Sequence, residues 1–194
     1  MVFEERRIGD LASVTTGLVV KRKQAELPEE IVTTYSMLTL KSFEQDGWLN
    51  TDELENFESS EHLDHKYLTK EGDIVIRLSH PNTAIIIDHE QEGYIIPSLF
   101  AVIRLSTNVL LPEYLSIYLN SNVMKRFYVK GAIGSAIQII KTSMLKDAVI
   151  RFPNLERQVK IVGLCRLIAK EKKLLSELVE EKFRYYNAVI NKMI

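Results

Sequence analysis

The stretch Phe152-Pro153-Asn154-Leu155-Glu156-Arg157-Gln158-Val159-Lys160-Ile161 is where the chain changes character. No proline occurs after Pro153. Ile161, Leu164, Ile168, Leu175, Leu178, Tyr185 and Val189 then follow at the a/d spacing of a heptad repeat, interrupted by Glu171 and Lys182. This spacing predicts one helix over residues 155–194. About 40 residues at ~1.5 Å each make a rod of roughly 60 Å. A domain of about 150 residues cannot cover such a rod along its whole length. Part of the apolar seam therefore needs another helix, from a second copy or from a partner protein. Pro153-Asn154 reads as the hinge, giving a domain over residues 1–152 and a helix over residues 153–194.

Upstream of the hinge the apolar runs are short. Ile74-Val75-Ile76 follows the turn signal Glu71-Gly72-Asp73, and Ala84-Ile85-Ile86-Ile87 follows His80-Pro81-Asn82. Tyr94-Ile95-Ile96 follows Gly93, and Leu99-Phe100-Ala101-Val102-Ile103 follows Pro97-Ser98. Short β-branched runs bounded by Gly, Pro and Asn predict strands of a mostly antiparallel sheet. Residues 8–12 predict a helical turn or two. Residues 112–120 predict a longer helix, with Pro112 in its first turn and Leu115, Tyr118 and Leu119 on one face, continuing through Val123, Met124 and Phe127. The two glycines of Lys130-Gly131-Ala132-Ile133-Gly134-Ser135 predict a flexible loop. The fold class is α+β: a compact β-rich domain with a few helices, then a long C-terminal helix of coiled-coil type.

Composition narrows the functional classes. Apolar residues make up 46% of the 194, enough for a real core. No apolar run approaches the ~20 residues that span a bilayer. The N-terminus, Met1-Val2-Phe3-Glu4-Glu5-Arg6-Arg7, lacks the apolar stretch of a signal peptide. A cytoplasmic protein with no membrane contact is expected. Cys165 is the one cysteine, so no internal disulfide and no cysteine metal cluster can form. Charge is unevenly spread: residues 1–150 hold 15 Lys and Arg against 21 Asp and Glu, whereas residues 151–194 hold 10 against 5. Residues 44–64 are acidic and contain no Lys or Arg. Lys21-Arg22-Lys23, and Lys125-Arg126 with Lys130, are compact basic groups expected to face a nucleic acid while the acidic stretch faces away.

Catalytic and cofactor motifs are missing. The chain has no G-x-G-x-x-G, no G-x-x-x-x-G-K-[ST] and no H-E-x-x-H. His62 and His65 flank Asp64, but no third and fourth ligand accompanies them, and a solvated acidic loop accounts for them better. Asp73 and Asp88 read as strand-end turn residues rather than nuclease carboxylates. A methyltransferase would need a cofactor loop and an N/D-P-P-[YFW] motif, and neither occurs. No catalytic residue, metal or cofactor is expected.

Three stretches together carry a resemblance. Ile8-Gly9-Asp10-Leu11-Ala12-Ser13-Val14-Thr15-Thr16-Gly17 resembles the L-G-D-L-x-x-V-x-x-G opening of type I restriction–modification specificity subunits. Gly72-Asp73-Ile74-Val75-Ile76-Arg77 and Ile95-Ile96-Pro97-Ser98-Leu99-Phe100-Ala101-Val102-Ile103-Arg104 follow. The third runs from Gly134-Ser135 through Leu145-Lys146-Asp147 to Ile150-Arg151-Phe152-Pro153-Asn154-Leu155-Glu156-Arg157-Gln158-Val159-Lys160-Ile161. It is similar to the family's G-S … L … I-P-x-P-x-L-x-x-Q-x-x-I passage into a conserved helix.

The resemblance implies a target-recognition domain that reads one half of a split site in double-stranded DNA. It also implies a helix that docks DNA methyltransferase subunits, with room for a restriction subunit. A full subunit carries two such domains and two antiparallel helices, so this chain looks like a half that rebuilds the whole as a homodimer. A symmetric dimer would read an inverted repeat. The residues expected at DNA are Thr16, Lys21, Arg22 and Lys23 near a mobile basic segment, Ser79, His80 and Asn82 on a turn, and Lys130, Gly134, Ser135 and Gln138 on the glycine loop. Ile161, Leu164, Ile168, Leu175, Leu178, Tyr185 and Val189 are the expected dimer or partner seam. The competing reading is an interaction protein that docks on methyltransferase subunits without reading DNA, motivated by the acidic balance of residues 1–150.

Overall fold

Both faces of one antiparallel sheet are covered, which explains why its strands read as nearly continuous apolar runs. The computed structural model describes residues 3–44, 47–131 and 139–194. In chain order the elements are β1 (Glu4–Arg7), α1 (Ile8–Leu11), β2 (Ala12–Thr16), β3 (Thr33–Met37), β4 (Glu55–Ser59), β5 (Ile74–Arg77) and β6 (Ala84–Ile86). Then come β7 (Phe100–Leu105), α2 (Pro112–Leu119), α3 (Asn122–Gly131), α4 (Thr142–Asp147), β8 (Val149–Phe152) and α5 (Leu155–Met193). The central sheet has the order β2-β7-β5-β6. Successive residues alternate between its faces. Ile74, Ile76, Ala101 and Ile103 pack into the main core with α1 to α4. Val75, Ile85, Phe100 and Val102 pack on the other side with Leu38, Phe43 and Ile96. The rings of Phe43 and Phe100 stack at 4.5 Å there.

Among the described residues the strands form three sheets rather than the single sheet expected from the sequence. β3 and β4 form a separate antiparallel ribbon, and β1 pairs with β8. Tyr94-Ile95-Ile96 is not a strand of the central sheet. Ile95 makes isolated bridges to Met37 and to Leu68, wedging the chain between the β3–β4 ribbon and the turn before β5.

The helix expected to run from 112 through Phe127 breaks at Asn120-Ser121. Asn120 leaves the helix to serve the edge strand β6. Its side-chain oxygen accepts from Ala84 N at 2.9 Å and its amide donates to Ala84 O at 2.7 Å. This mimics a ladder partner for an otherwise unpaired peptide.

The long helix forms as expected, but its first turns belong to the domain. Asn154 caps it, accepting from Arg157 N at 3.2 Å. Gln158 is fully buried. Its amide donates to Val109 O at 2.9 Å and Pro153 O at 2.8 Å, and its oxygen accepts from Leu111 N at 2.9 Å. Val162 lies in the main core with Ile161 packed against it. Ile161, read above as part of the partner seam, is thus half spent on the domain itself. Arg166 reaches Glu113 at 3.1 Å. Further along, Trp48 and Leu49 stand across a groove of about 750 Å³ from Cys165, Ile168 and Ala169. Residues 170–194 are exposed throughout. Among the described residues, no helix is long and apolar enough to cross a membrane.

Candidate nucleic-acid interface

The turn after β5 separates reading residues from scaffold. Asn82 has φ of +54°, a left-handed conformation that Asn tolerates. Its N–H donates to Ser79 O at 2.9 Å, and its side-chain amide donates to Leu78 O at 3.0 Å and Arg77 O at 3.2 Å. With 4% of its surface exposed, Asn82 closes the turn and spends its side-chain amide on it. His80 is exposed at the tip and Ser79 is half-buried. The chain emerging at Ile139 returns to this turn: Ser79 bridges Ile139, and Ile140 N donates to Leu78 O at 2.8 Å. Gly134, Ser135 and Gln138 lie outside the described residues.

Beside this turn runs a basic ridge. In α3, Met124 and Tyr128 are four apart and point into the core, which leaves Lys125, Arg126 and Lys130 exposed. The Tyr128 hydroxyl donates to Leu119 O at 3.1 Å, and burial pushes its phenol far above the usual value, keeping it neutral. In α4, Leu145 is buried while Lys146 and the preceding Lys141 are exposed. A hollow of about 440 Å³ between the helices is lined by Gly131, Ile139 and Lys141, so both described ends of the 132–138 segment meet here. The acid at this end, Asp147, faces Arg7 at 3.9 Å.

Lys21, Arg22 and Lys23 have other neighbours. The preceding Gly17 passes so close to the carbonyls of Ile96 and Pro97 that a methyl group would collide with them. Leu18 N donates to Ile96 O at 2.7 Å, and Ser98 N donates to Leu18 O at 2.7 Å. The basic residues then form a 3₁₀ turn (Val20–Arg22), and Lys23 O accepts from Ser60 N at 2.9 Å. Lys23 Nζ pairs with Glu61 at 2.7 Å. The expected mobile basic segment is therefore a pinned turn, and an acidic side chain sits against it rather than facing away. Lys21 and Arg22 are exposed, as is Thr16 at the end of β2.

Asp73 and Asp64 are committed to local structure. Asp73 accepts from Arg104 Nε and Nη2, both at 2.8 Å, and Arg104 also donates to Leu68 O at 2.8 Å and Lys66 O at 3.3 Å. Asp64 accepts from Lys66 N at 2.9 Å, and that bond lowers its carboxyl below the usual value. Among the described residues no group of three or more His, Cys, Asp or Glu is placed to hold a metal.

The seam of α5 lies open beyond Ile161. Leu164, Ile168, Leu175, Leu178 and Tyr185 are at least half exposed, and Val189 about a third.

The type I restriction modification DNA specificity domain family matches residues 2–180. This chain belongs to that family. Solved specificity subunits share its fold. The HsdS subunit from Thermoanaerobacter tengcongensis superposes with a TM-score of 0.66 at 16% identity, covering 91% of this chain and 44% of its own. The type I S subunit from M. genitalium gives 0.57 at 16% identity, covering 92% and 42%. A chain from a structure of type I R-M complex assembly and conformational transition gives 0.59 at 16% identity, covering 89% and 40%. This specificity-domain chain thus spans less than half the length of each. Among curated proteins, no sequence matches significantly.

The fuller extent of the basic ridge escaped the sequence reading, which singled out Lys125, Arg126 and Lys130 but not Lys141 and Lys146. The signal was present: no acidic residue occurs between Glu113 and Asp147, and five basic ones do.

Proposed function

We propose that this chain is the non-catalytic DNA sequence-specificity subunit of a cytoplasmic type I restriction–modification system. It reads a half-site with residues 1–152 and uses the helix of residues 153–194 to form a homodimer and to dock methyltransferase subunits, with room for a restriction subunit. The observation that carries this reading is the basic ridge of α3 and α4 beside the exposed His80 turn, on a fold whose long helix leaves residues 170–194 uncovered. Lys125, Arg126, Lys130 and Lys141 contact phosphates, which supply affinity and register. Ser79 and His80, together with Gly134, Ser135 and Gln138, contact base edges. Lys21, Arg22 and Thr16 form a secondary contact.

The test is selection of bound duplexes from a random DNA library by the chain together with its methyltransferase. Enrichment of an inverted repeat with a fixed spacer is expected. A pool that stays random would sink the reading.

One observation favours the alternative, an assembly protein that does not read DNA: Lys23 is already paired with Glu61 in an acidic surround. Under that reading, neutralising the ridge lysines would leave DNA retention unchanged while methyltransferase assembly stays intact.

A further inference from the structure

The exposed seam of α5 has a symmetry that identifies its occupant. Its positions are Leu164, Ile168, Glu171, Leu175, Leu178, Lys182, Tyr185 and Val189. The steps alternate four and three residues, and they read the same from either end. Two such helices laid antiparallel about a point between Ser176 and Glu177 therefore match along the whole seam. Leu164 then lies level with Val189 of the second copy, Ile168 with Tyr185, and Leu175 with Leu178. The two charged breaks fall level with each other, Glu171 of one copy against Lys182 of the other, twice by symmetry.

Other arrangements fail at the breaks. Parallel pairing in register sets Glu171 against Glu171 and Lys182 against Lys182. Sliding the antiparallel pair by one heptad sets Glu171 against Leu175 or Val189, and Lys182 against Leu164 or Leu178. A charge opposed by an apolar side chain loses solvation without gaining a partner. Polar residues inside an apolar seam are known to select register in this way.

The seam is free to accept a helix. Both Glu171 and Lys182 are exposed, and among the described residues neither takes part in an ion pair. Their neighbours are paired along the helix, Lys173 with Glu177 at 3.9 Å and Arg184 with Glu181 at 3.0 Å. The stripe that faces the domain across the Trp48 groove, made by Cys165, Ile168, Ala169, Lys172 and Ser176, shares only Ile168 with the seam, and Ile168 is 54% exposed. Arg166 makes its contact with Glu113 near the N-terminal end of the seam, and every residue from 170 onward is exposed.

We propose that a second copy of this chain covers the α5 seam in antiparallel fashion, in the register that sets Glu171 of each copy opposite Lys182 of the other. This rests on the homodimer reading above and fixes its geometry. The matched seam runs for roughly 38 Å, and the two Leu155 positions lie roughly 65 Å apart along the helix axis at ~1.5 Å per residue. The two domains therefore stand at opposite ends of one rod.

A charge-swap experiment on the full chain tests the register, read by light scattering and sedimentation over a concentration series. The Glu171→Lys variant opposes two lysine pairs when it dimerises with itself, and the Lys182→Glu variant opposes two glutamate pairs. Each is expected to dimerise on the order of a hundredfold more weakly than the wild type. Mixed together, the two variants are expected to form a one-to-one heterodimer, because every charged layer is again opposite in sign. The double variant carrying both changes is expected to regain the homodimer. Both sites are on the free surface of the helix, so circular dichroism of the variants should match the wild type. Single variants that dimerise like the wild type, or a mixture no tighter than its components, would overturn the register while leaving a homodimer standing. A wild-type chain that stays monomeric at every concentration would overturn the homodimer itself, and with it this proposal.

Discussion

Residues 44–64 and the span between Glu113 and Asp147 are opposites in charge: the first contains no Lys or Arg, the second no Asp or Glu. Both are hung on the same sheet by a polar clamp. Arg104 on β7 holds Asp73 and the carbonyls of Lys66 and Leu68, just beyond the acidic stretch. Asn120, between α2 and α3, holds both backbone groups of Ala84 on β6. The lesson is that net charge conceals a division of labour. A chain with a formal charge of −1 presents a surface that attracts phosphate and another that repels it. On the proposed reading, orientation on a duplex would follow from the pair, not from either alone.

The comparison can be broken most directly at its attachment points. Arg104→Leu leaves Asp73, with 5% of its side chain exposed, as a buried carboxylate without its cation, held only by the Lys70 N–H at 3.0 Å among the described residues. It is expected to lower the unfolding free energy by about 3–5 kcal/mol, read by urea denaturation. A loss below about 1 kcal/mol would show that the acidic side is not held through this clamp. The ridge comes next. Replacing Lys125, Arg126, Lys130 and Lys141 together by Gln is expected to weaken DNA binding by two to three orders of magnitude and to reduce the log–log salt slope by roughly 3.6, at ~0.9 per phosphate contact. Fluorescence anisotropy across a salt series reads both, and an unchanged slope would move the DNA elsewhere.

A smaller effect is expected from Asn120→Ala, which strips partners from Ala84 N and O. About 2 kcal/mol of stability should be lost, with β6 amides exchanging faster by hydrogen exchange. The smallest expected effect sharpens the contrast instead. Lys21→Gln with Arg22→Gln should change DNA affinity by no more than about tenfold at moderate salt, since two contacts shift the slope by roughly 1.8 at most. A loss equal to that of the ridge variant would make the pinned turn a full partner in binding.

Much of the scaffold was legible in the sequence. The apolar runs at β5, β6 and β7 and the periodicity of α5 are local patterns, and burial on both sheet faces or on one helix stripe writes them directly into composition. The split of one expected sheet into three was not legible, because Ile95 could pair with any of several edges. Its partners Met37 and Leu68 are chosen by the folded chain. The break at Asn120 was likewise invisible, since its partner Ala84 is 36 residues away. Of the polar residues singled out, His80, Lys21, Arg22 and Lys130 remain on the surface, whereas Asn82 is consumed by its own turn and Lys23 by Glu61.

By itself the sequence determined the α+β class and the long helix with the heptad spacing of its seam, because each of these follows from spacing along a few turns or one strand. Only the tertiary structure decided which polar side chains are left for a ligand. A hydrogen bond such as Gln158 to Leu111, or a pair such as Lys23 with Glu61, joins residues whose separation in the chain carries no periodic signal, and the cost of burying an unpaired polar group fixes these partners only once the backbone has been brought together.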